Sequence, residues 1–421
     1  MKRLLAALLL LCSAACFGAP DRIEGTILPS VLLSTVKDTE YVYITVLART
    51  GPANESNSTG GFSALIASML LNETKNRTGA EMEEVFYRIN GSMNITTTLD
   101  TTEIRLLTSK KNLMPAMRIL GDCLTQPKFT AEAVAKARDN AFAGLVSESG
   151  APFQQAYDRL RFSLYGSGPY KRSFYGSATA ISKATPKQLY AFFNENFCPR
   201  QLVLSVAGDL TPAELKKAVQ NSFFRVTPSP ERRSIHNFNE TLKESRRTLM
   251  PNGRDGQTYY LMGFLAPAAG DEDWAPMTVI SGLLGSGKSG RLFRRLRQRE
   301  GCCYYVGCKY PVLLRQSHIY LYAATGAGSA DMIRDRMLEI TEDLKKTPVE
   351  QADIDRVVTY MLTQEDIDRE NLLSLSHLTA LEEVYGSRDA RTARLRKVTP
   401  EDVTRCAEKY FTHYAEAVLA P

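Results

Sequence analysis

The segment ISKATPKQLYAFFNENF at residues 181–197 aligns without gaps on LRKVTPEDVTRCAEKYF at 395–411, with Lys, Thr, Pro and the terminal Phe coinciding. Each copy reads as a helix start. Thr is the N-cap whose hydroxyl accepts a free amide, and Pro at the first helical position gives up an N–H that has no partner there. One such start could recur by chance, but its matching place near the end of each half implies a duplicated domain. Two similar halves, each with its own core, would face each other across a cleft or chamber. At 421 residues the chain is long enough for both cores.

Taken in order, the chain opens with Lys2 and Arg3, an apolar run Leu4 to Leu11, and small residues Ser13-Ala14-Ala15. This is a secretory signal pattern. It predicts removal of residues 1–18, with cleavage after Ala15 or near Gly18, and an exported protein, periplasmic or envelope-associated. Cys16 is an alternative lipid-bearing first residue, and a membrane enters the expectation only through it. Beyond the leader, YVYITVLA (41–48) reads as a strand, 62–71 as a helix buried on all sides, 78–89 as an amphipathic helix and 94–107 as a strand pair. Helices are expected at 112–124 and 130–147 and a buried strand at 202–207. From 227 to 255 the composition shifts to Pro, Arg, Glu, Asn and Gly, the mark of an exposed connection. The expected domains are 20–226 and 256–421, with 227–255 as the linker. Strands at 258–265, 304–310 and 318–324 then repeat the order of the first half.

Without Lys2 and Arg3, the 52 basic residues fall to 50 against 46 acidic ones, too even a balance to imply a nucleic-acid partner. Cys12 and Cys16 belong to the leader or its edge, and the other six cysteines include no C-x-x-C pair, which argues against a cysteine zinc site. The four histidines, His236, His318, His377 and His413, form no i, i+4 pair and read as ordinary surface or partly buried residues.

The stretch GLLGSGKSGRLFRRLRQREGCCYYV (282–306) carries two readings. Gly282 to Ser289 satisfies the letters of a phosphate-binding loop, G-x-x-x-x-G-K-[ST]. A true one follows a buried strand, whereas Met277, Ile280 and Leu283–Leu284 recur at helical spacing. The second reading is a Gly/Ser loop leading into an Arg-rich helix and a Tyr-bearing strand, and the context favours it.

The ordered residues resemble the insulinase (pitrilysin-like) zinc peptidase family in its short two-domain form. GFSALIASMLLNET (61–74) looks like G-x-x-H-x-x-E-H-M-L-x-x-x-T, preceded by Gly51 and Glu55. NITTTLDTT (94–102) is similar to the family's N-A-x-T-x-x-D-x-T edge strand, and SGRLFRRLRQREGCCYYV (289–306) to S-x-R-L-F-x-x-L-R-x-x-x-G-x-x-Y. The resemblance implies an α+β fold of two insulinase-like domains, each a mainly antiparallel sheet with packed helices. The departures are specific. Ala64, Ala67 and Ser68 stand where the family has two histidines and a water-activating Glu, so no metal ligand set is expected in this chain. By motif position, Arg297 and Tyr304 match the Arg/Tyr pair that holds the substrate carbonyl and its oxyanion. The alternative is that Arg297 is one of five arginines solvating a helix and that Tyr304 packs in a sheet like Tyr305 beside it; the spacing and the flanking Gly301 fit the carbonyl-holding reading. Asn94 and Thr97 would guide an extended peptide by strand addition. The implied function is a non-metal subunit of a heteromeric zinc peptidase, with zinc in a homologous partner and a peptide as substrate; the alternative is a silent peptide-binding scaffold of the same fold.

Overall fold

A computed structural model describes residues 19–166, 168–223, 238–252 and 256–421. The expected leader, His236 and much of the expected linker lie outside these residues.

The first half builds one sheet from β1 (Asp21–Arg22), β2 (Ser30–Thr35), β3 (Tyr41–Ala48), β4 (Ser92–Thr97), β5 (Thr102–Ser109) and β6 (Leu202–Gly208). Their order is β1-β2-β6-β3-β5-β4. The second half uses β7 (Arg246–Pro251), β8 (Thr258–Ala266), β9 (Tyr305–Lys309), β10 (Ser317–Thr325) and β11 (Ala415–Ala420). They lie in the order β7-β11-β8-β10-β9. Apart from β1, the two orders correspond strand for strand. Each sheet has a single parallel pair, β2 with β6 and β7 with β11, and every other pairing is antiparallel. The fold is therefore two α+β units of one topology, as the repeated Thr-Pro segments imply.

Those segments behave as their letters require. Thr185 accepts the Gln188 amide at 3.3 Å and Thr399 the Asp402 amide at 3.2 Å, and in both the acceptor side chain three residues on returns a bond. Each helix leads directly into the last strand of its sheet. β1, β2, β7 and β11 are not among the expected strands. β7 lies inside 227–255, read as exposed connection, because a polar edge strand whose residues are exposed in alternation carries no apolar run to announce it.

One face of each sheet is buried in its own half's core. In the first half this joins Val42, Ile44, Leu65, Leu120 and Phe223; in the second it joins Phe264, Ile280, Leu321, Met337 and Val403. The opposite faces are covered reciprocally. Helix Pro152–Leu164, from the first half, lays Tyr157, Leu160 and Leu164 on β8 and β11 with Leu261, Ala417 and Leu419. Helix Leu372–Tyr385, from the second half, crosses β3 and β6, with Ala380 against Leu32, Leu47 and Val203. There the Ser376 hydroxyl lies 2.8 Å from that of Thr45 and 3.0 Å from the Ser205 carbonyl. Each fully buried large apolar side chain contributes roughly 1.5–3 kcal/mol, so the exchange stabilises the contact between the halves. No helix among the described residues is long and apolar enough to cross a membrane.

Candidate functional site

Helix Phe62–Leu70 is started by a carboxylate. Glu55 accepts the N–H groups of Gly61 at 2.7 Å and Ser63 at 2.8 Å, satisfying two of the amides a helix start leaves open. Burial pushes the Glu55 carboxyl above its ordinary value, while the two N–H groups pull it back. So fixed, the helix turns Ala64, Ala67 and Ser68 onto a cavity of about 620 Å³, faced by Ile95, Thr96 and Thr97 of β4 and by Phe174 and Tyr175. β4 is an outermost strand, so the cavity adjoins a free strand edge.

The chemistry at the three positions does not fit a metal. Two are methyl groups, and the third is a hydroxyl already engaged, since Asn140 Nδ2 donates to Ser68 Oγ at 3.1 Å. The opposite wall is occupied as well. Gly144, in helix Ala131–Gly150, leaves room for the Tyr175 ring; a Cβ there would stand 2.4 Å from Tyr175 Cε1. Among the described residues no group of three His, Cys, Asp or Glu gathers in a metal-holding arrangement. Asn140 and Tyr175 escaped the sequence reading because neither lies in a motif; only tertiary packing brings them to Ser68 and the cavity.

The expected substrate residues separate. Thr97 faces the cavity, and its hydroxyl lies 3.4 Å from that of Thr102. Asn94, on the same strand, is exposed and does not line it. Arg297 and Tyr304 come together, but outside the cavity. Arg297 Nη1 donates to the Cys303 carbonyl at 2.9 Å, and the guanidinium lies 5.8 Å from the centre of the Tyr304 ring. Tyr304 is 76% exposed. A line of rings joins this pair's strand to the cavity wall. Gln154 lines the cavity, and beside it Phe153 meets Tyr322 edge-on at 5.4 Å; Tyr322 in turn lies 5.1 Å from Tyr305.

Two further expectations are settled. Gly282 and Gly285 belong to helix Trp274–Gly285, where an added Cβ would meet Val357 and the Cys308 backbone, so these glycines permit helix packing rather than cradling phosphate. His318 is not a surface residue but fully buried between the halves. The Tyr157 hydroxyl lies 3.0 Å from its Nε2 and the Tyr165 hydroxyl 2.7 Å from its Nδ1. Neutral imidazole donates from one nitrogen and accepts at the other, so it satisfies both. Burial, with the nearby Arg161 charge, pushes its pKa down to about 3. His377 is also an interface residue, its Nδ1 lying 2.7 Å from Glu103 Oε1. Burial favours the neutral Glu103 carboxyl, but hydrogen bonds from His377 and Arg105 outweigh it and hold the group below its ordinary value. The six cysteines of the described residues are free.

Comparison with known proteins agrees with this architecture. The chain is 21% identical over 406 residues to the uncharacterized zinc protease YmxG of Bacillus subtilis, covering 93% of this chain and 96% of that one. It is 23% identical to the zinc protease PqqE of Helicobacter pylori, over 89% of this chain and 86% of the relative. Among solved structures, a protease from Helicobacter pylori superposes with a TM-score of 0.87 at 19% identity, over 96% of this chain and all of that one. A peptidase M16 inactive domain from Pseudomonas fluorescens superposes with a TM-score of 0.83 at 17% identity, over 93% and 95%. Residues 30–173 match the family described as Insulinase (Peptidase family M16), and residues 183–361 match its Peptidase M16 inactive domain. Both halves of the chain are thus accounted for, and the protein belongs to the insulinase family of peptidases, M16.

Proposed function

We propose that this chain is the non-metal subunit of a heteromeric zinc peptidase, inactive alone and supplying Arg297 and Tyr304 to hold the carbonyl of a peptide bound by its zinc-bearing relative. The observation that carries the reading is the joint loss at Ala64, Ala67 and Ser68, which share one cavity wall and offer no metal ligand set. The second half nevertheless keeps an exposed guanidinium beside an exposed phenol. Donors of that kind, aimed at a developing oxyanion, act mainly in the transition state. Export to the periplasm or envelope belongs to the same proposal and rests on residues 1–18.

Metal analysis of the purified chain, followed by its recovery from the native host at mild salt, tests the proposal. No stoichiometric zinc, no peptide hydrolysis alone and co-purification with a family relative are the expected results. One tightly held zinc per chain with chelator-sensitive hydrolysis would overturn it.

A scaffold reading has its own support, because Arg297 is already occupied by the Cys303 carbonyl and a peptide could rest on the free edge of β4 without being cut. Recovery of the chain without any family relative would favour it.

A further inference from the structure

Five arginines crowd residues 291–299, and Arg297 accounts for only one of them. The backbone explains where the others go. From Phe293 to Arg299 the helix is widened to i→i+5 closure, as where the Glu300 N–H reaches the Arg295 carbonyl at 3.1 Å. Such a turn sets Arg294 over Arg299, five residues on, and widened turns of this type are frequent at functional sites. Leu292 and Leu296 anchor the segment in the core. Arg297 leaves on the flank of Cys303 and Tyr304, while Arg291, Arg294, Arg295 and Arg299 line a separate cavity of about 490 Å³ against helix Ala330–Lys346.

The charges there do not cancel. Only Glu339 and Asp343 face the four guanidiniums across the cavity. Asp343 is taken by Arg291 at 2.9 Å, and Glu339 by Arg336 at 2.6 Å with Arg295 at 3.5 Å. Arg295 also pairs with Glu300. Among the described residues, the side chains of Arg294 and Arg299 have neither an ion pair nor a hydrogen-bond partner. Exposed arginines on a convex helix are ordinarily just solvated. Here two open forks share a concavity whose acidic groups are already in use. A guanidinium cannot shed its charge, and its fork matches oxyanions in bidentate fashion. One carboxylate fills one fork, whereas a phosphate presents enough oxygens to bridge two.

We infer that this cavity binds the phosphate group of a phosphorylated ligand, either soluble or carried as a lipid headgroup, at a site separate from the peptide-facing one. The test is calorimetric titration of the full chain with sodium pyrophosphate at fixed ionic strength, beside sedimentation with phosphatidylcholine vesicles with and without phosphatidic acid. The expected result is saturable binding in at least one arm, weakened about tenfold or more by the double variant R294Q/R299Q and unchanged by R396Q, an exposed charge elsewhere. Pyrophosphate binding identifies a soluble ligand; binding confined to phosphatidic acid vesicles identifies a headgroup. Because both targeted side chains are exposed and unpartnered, the double variant should melt like the parent. No binding in either arm, binding that the double variant retains, or an equal loss in R396Q would overturn the inference.

Discussion

Asp100 Oδ2 accepts the backbone N–H of Leu314 at 2.8 Å, tying the turn between β4 and β5 to the connection between β9 and β10 in the other half. Its Oδ1 accepts the Tyr170 hydroxyl at 2.6 Å, and the Tyr170 phenol oxygen in turn accepts the Arg315 N–H at 3.2 Å. Burial pushes the Asp100 carboxyl above its ordinary value, while the Tyr170 and Leu314 bonds pull against it. Removing such an acceptor strands buried donors on both sides of the interface. Asp100→Ala should therefore lose about 3 kcal/mol in urea unfolding. Asp100→Asn should lose less, since its amide oxygen still accepts one bond; equal midpoints for parent and Ala variant would mean the contact adds no net stability.

The neutral His318 predicts an acid limb. Its folded pKa, pushed down to about 3, lies below the ordinary 6.5, so below that ordinary value the unfolded chain takes up a proton the folded chain refuses. The contribution is complete above the unfolded pKa and is lost as pH falls through the window between the two, at up to about 1.4 kcal/mol per pH unit. Asp100 and Glu55, whose pKa values are raised, work in the opposite sense, so the readout is the difference between parent and His318→Gln. The variant should be less stable at neutral pH and should lose less on acidification. Parallel pH profiles would refute the assignment.

Gly144 and Tyr175 predict a change of sign. Gly144→Ala drives a methyl against the ring and should destabilise by about 1–3 kcal/mol. In a Tyr175→Ala background the same substitution should be neutral or stabilising by up to about 1 kcal/mol, because Ala is the better helix former. A thermodynamic cycle measures this coupling, and additive effects would show that the ring does not fill the wall.

The proposed pairing with a zinc-bearing relative predicts that, in the reconstituted pair, Arg297→Ala and Tyr304→Phe each reduce kcat by about 10² to 10³ while KM changes little. Tyr304→Phe keeps the ring and so isolates the hydroxyl. Arg396→Ala serves as the charge control. Near-normal kcat in both site variants, with normal melting, would make Arg297 and Tyr304 packing residues of a scaffold.

Where letters specify local geometry, the sequence was readable to the residue. YVYITVLA folds as β3 over the same residues 41–48, and both Thr-Pro starts form their capping boxes. β1, β2, β7 and β11 were not anticipated, β7 because a polar, alternately exposed edge strand lacks the apolar signal that marks a central one. At the site, Ala64, Ala67 and Ser68 were legible because a motif fixed their spacing on one helix. Tyr175 and Asn140 were not, since a loop and a neighbouring helix deliver them. His318 looked ordinary for a similar reason: its partners Tyr165 and Tyr157 lie 153 and 161 residues away.

The reciprocal crossing of helices Pro152–Leu164 and Leu372–Tyr385 also sets a timetable for synthesis. When the ribosome completes β6, the outer face of the first sheet still lacks the helix that will cover it, which is encoded nearly at the chain's end. At about 5–20 residues per second that face waits on the order of ten to thirty seconds. Helix Pro152–Leu164, made early, waits likewise for β8 and β11. Neither half can cover its outer sheet face alone, and a chain halted between them would present a bare sheet to any binding factor near the exit tunnel.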